Sequence, residues 1–233
     1  MNAMVLAAGL GTRLGALGRR VPKVLLPVSG RPLLARHLDA LEREGVARVV
    51  INAYHLSSDV QAFVQRYSGG LELVCVVEQD LLGTAGGVRN ALAYLKPGPF
   101  LVLYGDVFVE EPLARLVEKH TTYRPAATLA VHEHASAEGK GVVEIDSAGR
   151  VTRFVEKGDR RAGPSLINSG IYVLEEQLLA RLPIGVPLDF GHDVFPRAVS
   201  EGLTLLTHQL GRPVIDIGTQ EGLSLAQTRA VTE

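Results

Sequence analysis

Only one cysteine, Cys75, occurs in the 233 residues, so no disulfide can close within the chain. Its place in the apolar run Leu73-Val74-Cys75-Val76-Val77 marks a buried strand thiol and suits a reducing cytoplasm. A basic excess is also lacking. The 24 Lys and Arg against 25 Asp and Glu leave a formal net charge of −1, which excludes the cationic surface needed to track nucleic acid. No apolar run approaches the ~18 residues of a membrane span, and no basic leader precedes the short N-terminal run, so neither membrane span nor signal peptide is expected. Repeats, linkers and low-complexity segments are absent too. With 46% apolar and 21% charged residues, the chain reads as one soluble cytoplasmic domain over residues 1–233, its oligomeric state left open to a homo-oligomer.

What is present alternates short apolar runs with amphipathic stretches. Strands are expected at 3–8, 46–53, 71–77 and 100–104, and helices at 32–44, 57–67 and 86–95. This β-α-β order predicts an α/β fold, a doubly wound, mixed but mostly parallel sheet with helices on both faces, Rossmann-like. Pro32 suits a first helical turn and Gly45 a helix stop. From about residue 126 strand-like runs follow one another directly, at 127–131, 141–145, 151–156 and 167–174, adding mixed sheet. A last helix is expected at about 220–230.

The stretch LAAGLGTRLG, residues 6–15, places three glycines and an arginine after the first strand. A dinucleotide fingerprint would need a third glycine where Leu14 stands and an acid at the end of the second strand, which instead runs Ile51-Asn52-Ala53. A Walker loop would need a G-K-[ST] that does not follow. The remaining reading is a long loop in which amides near Gly9 and Gly11 turn to phosphate oxygens, while Arg13 and Lys23 meet negative charge on a leaving pyrophosphate.

LAAGLGTRLG followed by PKVLLPVSGRPLL resembles the signature of the sugar-nucleotide pyrophosphorylases, the nucleotidyltransferases that act on sugar 1-phosphates. EQDLLGTAGGV (78–88), LYGDVF (103–108), FVEKG (154–158), LINSGIYVL (166–174) and VIDIGTQEGL (214–223) follow in the order that family shows. The resemblance implies transfer of a nucleotidyl group from a nucleoside triphosphate to a sugar 1-phosphate, with a nucleotide-binding half at about 1–125 and a sugar-binding half at about 126–233. The attacking phosphate is already ionised near neutral pH, so cations and metal ligands are sought rather than a nucleophilic side chain. Arg13, Lys23 and Asp106 are the implied catalytic residues. Leu6, Ala7, Ala8, Gly9, Gly11, Thr12, Gly83 and Thr84 are implied at the nucleotide. Asp106 and Asp216, each after an apolar strand, are implied to hold Mg2+. Lys157 and Glu156 are implied at the sugar's phosphate and hydroxyls, with Gly141, Asn168 and Gly170 beside them.

Glu78 bears on the base. The resemblance places it at the Watson–Crick edge, where a carboxylate only accepts and guanine offers two adjacent donors. GTP is therefore favoured, in the manner of the guanylyltransferases for mannose or heptose 1-phosphate. A uridylyl- or thymidylyltransferase for another sugar, such as an amino sugar, is the alternative, as is a non-catalytic nucleotide-sugar-binding regulator. A nicotinamide-dependent oxidoreductase is poorly supported. His132 and His134 alternate along a strand without a third ligand nearby and read as a half-exposed strand face rather than a metal site.

Overall fold

The computed structural model describes residues 1–155 and 162–230. Its strands are β1 (Asn2–Leu6), β2 (Pro27–Val28), β3 (Arg31–Pro32), β4 (Arg48–Ala53), β5 (Glu72–Val77), β6 (Phe100–Tyr104), β7 (Val107–Phe108), β8 (Ala127–Ser136), β9 (Val142–Ile145), β10 (Val151–Val155), β11 (Ala162–Leu174), β12 (Leu205–Gln209) and β13 (Ile215–Asp216). The helices are α1 (Ala16–Arg20), α2 (Leu33–Arg43), α3 (Ser57–Arg66), α4 (Gly83–Leu95), α5 (Ala114–Tyr123), α6 (Glu176–Ala180), α7 (Phe195–Ser200) and α8 (Gln220–Arg229).

β1 lies between β4 and β6, and β5 extends β4, all parallel. Beyond β6 the sheet turns antiparallel through β11, which also pairs with β8 and touches β9. β12 joins β8 in parallel and β10 joins β9. The expected mixed, mostly parallel α/β sheet is therefore present, and the β6–β11 pair carries it across the division near residue 126.

Both faces of the sheet are covered, which is why the parallel strands read as continuous apolar runs rather than alternating ones. Met4, Val50 and Val102 point to one core with Val88 and Leu92 of α4 and the aromatic residues Phe190 and Phe195. Ala3, Val5, Val49 and Ile51 point to the other, against Leu34, Leu38 and Leu41 of α2 and Leu116 of α5. Each of those α2 leucines, fully buried, contributes about 1.5–3 kcal/mol. A smaller third cluster joins Leu14, Leu26, Val28 and Leu33 to Ile215, Ile217 and Leu223. No helix among the described residues is long and apolar enough to cross a membrane. Cys75 lies on β5, half-buried, and burial raises its thiol pKa.

α4 begins at Gly83, three residues earlier than expected. The amides of Ala85 and Gly86, unpaired inside a first helical turn, donate to the Leu188 carbonyl at 2.9 and 3.1 Å, so a distant segment caps the start. β8 and β11 are longer than their apolar cores, and α5, α6, α7 and β12 lie where no clear period was read.

Three buried histidines make stability acid-sensitive, and burial lowers the pKa of the first, His37 on α2, to about 4. Burial lowers the pKa of His120, which bonds Thr128, with Glu175 opposing the shift. Burial also lowers that of His132, to about 4, helped by the positive charge near His134 and Lys140. Unfolded histidine protonates near pH 6.5, so below that value the unfolded chain binds more protons and stability falls as pH drops toward 4. The slope is at most about 1.4 kcal/mol per pH unit per histidine. Urea midpoints should therefore decline steadily between pH 6.5 and 4.5; constant midpoints would contradict the burial assigned to these rings.

Candidate active site

A cleft of about 560 Å3 opens at the carboxyl ends of β1 and β6, the usual ligand edge of an open α/β sheet. The Gly105 amide donates to the Leu6 carbonyl at 2.8 Å, tying the two strand ends together below it. Leu6, Ala7, Ala8, Gly9, Arg13, Lys23, Gly83, Thr84, Asp106, Gly141, Asn168, Gly170 and Asp216 all line it. Glu156 and Lys157 lie outside the described residues.

Lys23 and Asp106 form an ion pair in the cleft wall, their side chains only 16% and 23% exposed. Arg13 donates to Asp216 Oδ2 at 3.0 Å from a more open position, 56% and 49% exposed. The two aspartates are 110 positions apart. Short antiparallel pairing between β7 and β13 brings their segments together, with Asp216 opposite Val107 and the Ile217 amide donating to the Asp106 carbonyl at 2.9 Å. Asp216 Oδ1 accepts from the Gly218 amide at 2.7 Å, while Asp106 Oδ1 has no hydrogen-bond partner among the described residues. Two carboxylates at one mouth, one with an oxygen to spare, fit a hard divalent cation that keeps several waters and takes few protein ligands.

Gly11 sits in the left-handed region at φ 68°, and neither it nor Thr12 is among the residues that line the cleft. Its carbonyl packs against Gly18 so closely that a Cβ at Gly18 would overlap the Gly11 oxygen. Close packing of Gly11 on Gly18 thus shapes the loop. His55 Nε2 lies 3.0 Å from the Gly18 carbonyl and secures the far side.

Glu78 differs from the expectation that it faces a base. It is 4% exposed and lies behind the cleft wall. Oε1 accepts from Asn52 Nδ2 at 2.6 Å and Oε2 from the Leu82 amide at 3.1 Å. Asn52 Oδ1 in turn accepts from the Ala7 amide at 2.8 Å, so one buried chain of bonds joins the glycine loop, the end of β4 and the start of α4. Gly87 leaves room for it, since a Cβ there would stand 2.7 Å from both Asn52 Nδ2 and Glu78 Oε1. Residue type announces an acid but not the direction it faces; a polar Asn52 at the end of a buried strand was the available signal for an internal partner.

Thr84 donates to Asp189 Oδ2 at 2.7 Å. Asp189 also caps the π-helical turn 190–194, accepting from Gly191 at 2.8 Å, and it lines the cleft. An aspartate two residues before a glycine was its only sequence mark. On the far wall, Asn168 Oδ1 accepts from Gly170 at 3.2 Å and Nδ2 donates to the Tyr172 hydroxyl at 2.7 Å. Gly170 at φ 68° is required twice, by its backbone and because a Cβ would press to 2.8 Å from Tyr104 Cγ. His132 is 5% exposed, not half-exposed, because β11 covers its face of β8 with Ser169, 2.9 Å from His132 Nδ1. His132, His134 and Lys140 line the cleft as well.

The chain is 34% identical over 207 residues to a probable mannose-1-phosphate guanylyltransferase 1 of Oryza sativa subsp. japonica, covering 86% of this chain and 57% of that one. It is 29% identical to a UTP–glucose-1-phosphate uridylyltransferase of Synechocystis sp., covering 94% and 60%. The chain thus spans somewhat over half the length of these curated relatives. The crystal structure of HddC from Yersinia pseudotuberculosis complexed with GMP-PN superposes with a TM-score of 0.84 at 26% identity, covering 98% of this chain and 99% of that one. A nucleotidyl transferase family model matches residues 2–232, and the chain belongs to that family.

Proposed function

We propose that this chain transfers a nucleotidyl group from a nucleoside triphosphate, GTP in preference, to a sugar 1-phosphate of the mannose or heptose type, releasing pyrophosphate. Convergence of Arg13, Lys23, Asp106 and Asp216 on one cleft carries the reading. A phosphate oxygen of the sugar 1-phosphate attacks the α-phosphorus in line, and the bond from that phosphorus to the bridging oxygen of the β-phosphate breaks. The electron pair leaves with pyrophosphate, whose growing charge falls to Arg13 and Lys23. Asp106 and Asp216 are assigned the divalent cation, Mg2+ by preference. When bound, that cation neutralises phosphate charge and aligns the reacting groups.

Residues 6–9 and the turn at Gly83 and Thr84 hold the nucleotide, with Gly11 and Thr12 setting the shape of the first loop. Gly141, Asn168 and Gly170 form the sugar wall, and Lys157 with Glu156 is assigned to the sugar's phosphate and hydroxyls. Base preference for guanine is supported by the relatives named guanylyltransferases and by the neighbour complexed with GMP-PN. In this reading Glu78 acts indirectly, fixing Asn52 and Leu82 from behind. Because its carboxylate is engaged there, a uridylyltransferase with a glucose-type sugar is the second reading, favoured also by the Synechocystis relative. The reaction belongs to the cytoplasm, where its triphosphates are.

Pyrophosphate release from each of the four common NTPs, paired with mannose, heptose, glucose and N-acetylglucosamine 1-phosphates, tests this. The expected maximum in kcat/KM is GTP with mannose or heptose 1-phosphate. A maximum at UTP with glucose 1-phosphate would establish the second reading. No release from any pair at millimolar Mg2+ would overturn nucleotidyl transfer itself.

A further inference from the structure

We infer that His132 reads a hydroxyl group of the sugar through Nε2, with Ser169 as the residue that positions its ring; the inference rests on the nucleotidyl-transfer reading above. Ser169 is 1% exposed and its Oγ lies 2.9 Å from His132 Nδ1, so one ring nitrogen is committed to a buried partner. Nε2 has no hydrogen-bond partner among the described residues, and the residue lines the cleft. Asn168, the neighbour first expected to serve the sugar, spends both ends of its amide on Gly170 and Tyr172. Among the described histidines on this wall, His132 is the one whose unengaged ring nitrogen is aimed by a buried partner, since His134 Nδ1 bonds the exposed Ser136 backbone instead.

Its charge state selects the ligand chemistry. His134 on the same strand, at 6.3 Å between ring centroids, and Lys140 from the turn after β8 are the ionisable groups that act on it. Ser169, across on β11, is uncharged. With burial they keep the imidazole neutral at neutral pH, so it offers no charge to a phosphate. If Ser169 donates to Nδ1, Nε2 carries the proton and donates; if Ser169 accepts, Nε2 accepts. A hydroxyl satisfies either tautomer, whereas a carbonyl or an ammonium satisfies one. A sugar hydroxyl is thus the group that fits.

The test uses the whole chain with its sugar 1-phosphate and a set of monodeoxy analogues, at saturating nucleotide. His132→Ala should raise KM for the sugar 1-phosphate about 5- to 10-fold, the usual scale for one neutral hydrogen bond, with KM for the nucleotide changed less than about twofold. Ser169→Ala should give a smaller rise of the same kind, and His132→Gln should recover part of the loss. Wild type should discriminate against one monodeoxy analogue in particular, and His132→Ala should erase that discrimination, since the pair then has nothing left to lose. Unchanged discrimination at every position in His132→Ala, or equal losses for sugar and nucleotide, would overturn the inference while leaving the reaction in place. If His132→Ala does not fold, the same analogue comparison with His132→Gln decides, because an altered preference among the analogues is expected there and an unaltered one overturns. A wild-type protein that turns over no sugar 1-phosphate brings down the reaction, and this inference with it.

Discussion

Asp106→Asn should lower kcat by about 10³-fold or more with little change in the melting temperature. The amide keeps the shape of the carboxylate but removes the charge that pairs with Lys23 and that holds a divalent cation. Lys23→Ala should lower kcat by about 10²-fold and leave nucleotide affinity within a fewfold, because its charge matters most as the bond to pyrophosphate breaks. The two residues act as a unit, so the double variant should be little worse than Asp106→Asn alone. Steady-state kinetics over a Mg2+ titration, beside a direct nucleotide-binding measurement, checks all three. Full turnover of Asp106→Asn at limiting Mg2+ would remove Asp106 from the ligand set, and strict additivity would separate it from Lys23.

Gly18→Ala should be among the most damaging single methyl groups added near the cleft. Its Cβ would fall on the Gly11 carbonyl oxygen, backbone against backbone, so no side chain can swing aside. The loop between Gly9 and Arg13 must move instead, and Leu14, fully buried at its end, resists. Overpacking of this kind costs about 1–3 kcal/mol, and a loop shifted by an ångström costs about 10²-fold in rate. Gly30→Ala is the control. Gly30 lies in the β2–β3 turn at φ 76° with open space around its Cα, so an added methyl strains the backbone without touching the cleft. It should lower the urea midpoint and leave kcat/KM near that of the parent. Equal kinetic losses in the two variants would show that the glycine loop senses general stability rather than its own shape.

The parallel half of the sheet was legible because β1, β4 and β6 are buried on both faces and so carry unbroken apolar runs. Asp106 was legible because it follows the β6 run at the ligand edge, Asp216 because it follows the apolar Val214-Ile215, and Lys23 because it stands in the PKVLLP loop that resembles the family signature. The partners they make were not, since Arg13 meets Asp216 only after β7 and β13 pair across more than a hundred residues. Glu78 shows the limit most plainly. Its spacing from Gly83 matched a base-reading acid, but the free amide of Leu82 and the Asn52 side chain draw the carboxylate inward, and nothing local in the sequence records that pull. The start of α4 was missed for a related reason: its cap is the Leu188 carbonyl, a hundred residues away. Asp189 lies in that same crossing segment, where no period announced a helix or a strand.

The small apolar cluster joining Leu14, Leu26 and Val28 to Ile215, Ile217 and Leu223 sits apart from the two large cores, and it ties early chain to late chain. Arg13 adjoins Leu14, Lys23 lies three residues before Leu26, and Asp216 stands between its two isoleucines. A cluster this small is expected to open, as one cooperative unit, at a fraction of the free energy that unfolds the sheet. Its amides would then exchange with solvent together, well ahead of those in β1, β4 and β6. Each such opening disperses two cations and a carboxylate at one stroke while the nine-stranded sheet stays closed. On warming, catalysis is accordingly expected to fade over a range in which the aromatic core around Tyr172 is still packed, with thermal inactivation preceding thermal unfolding.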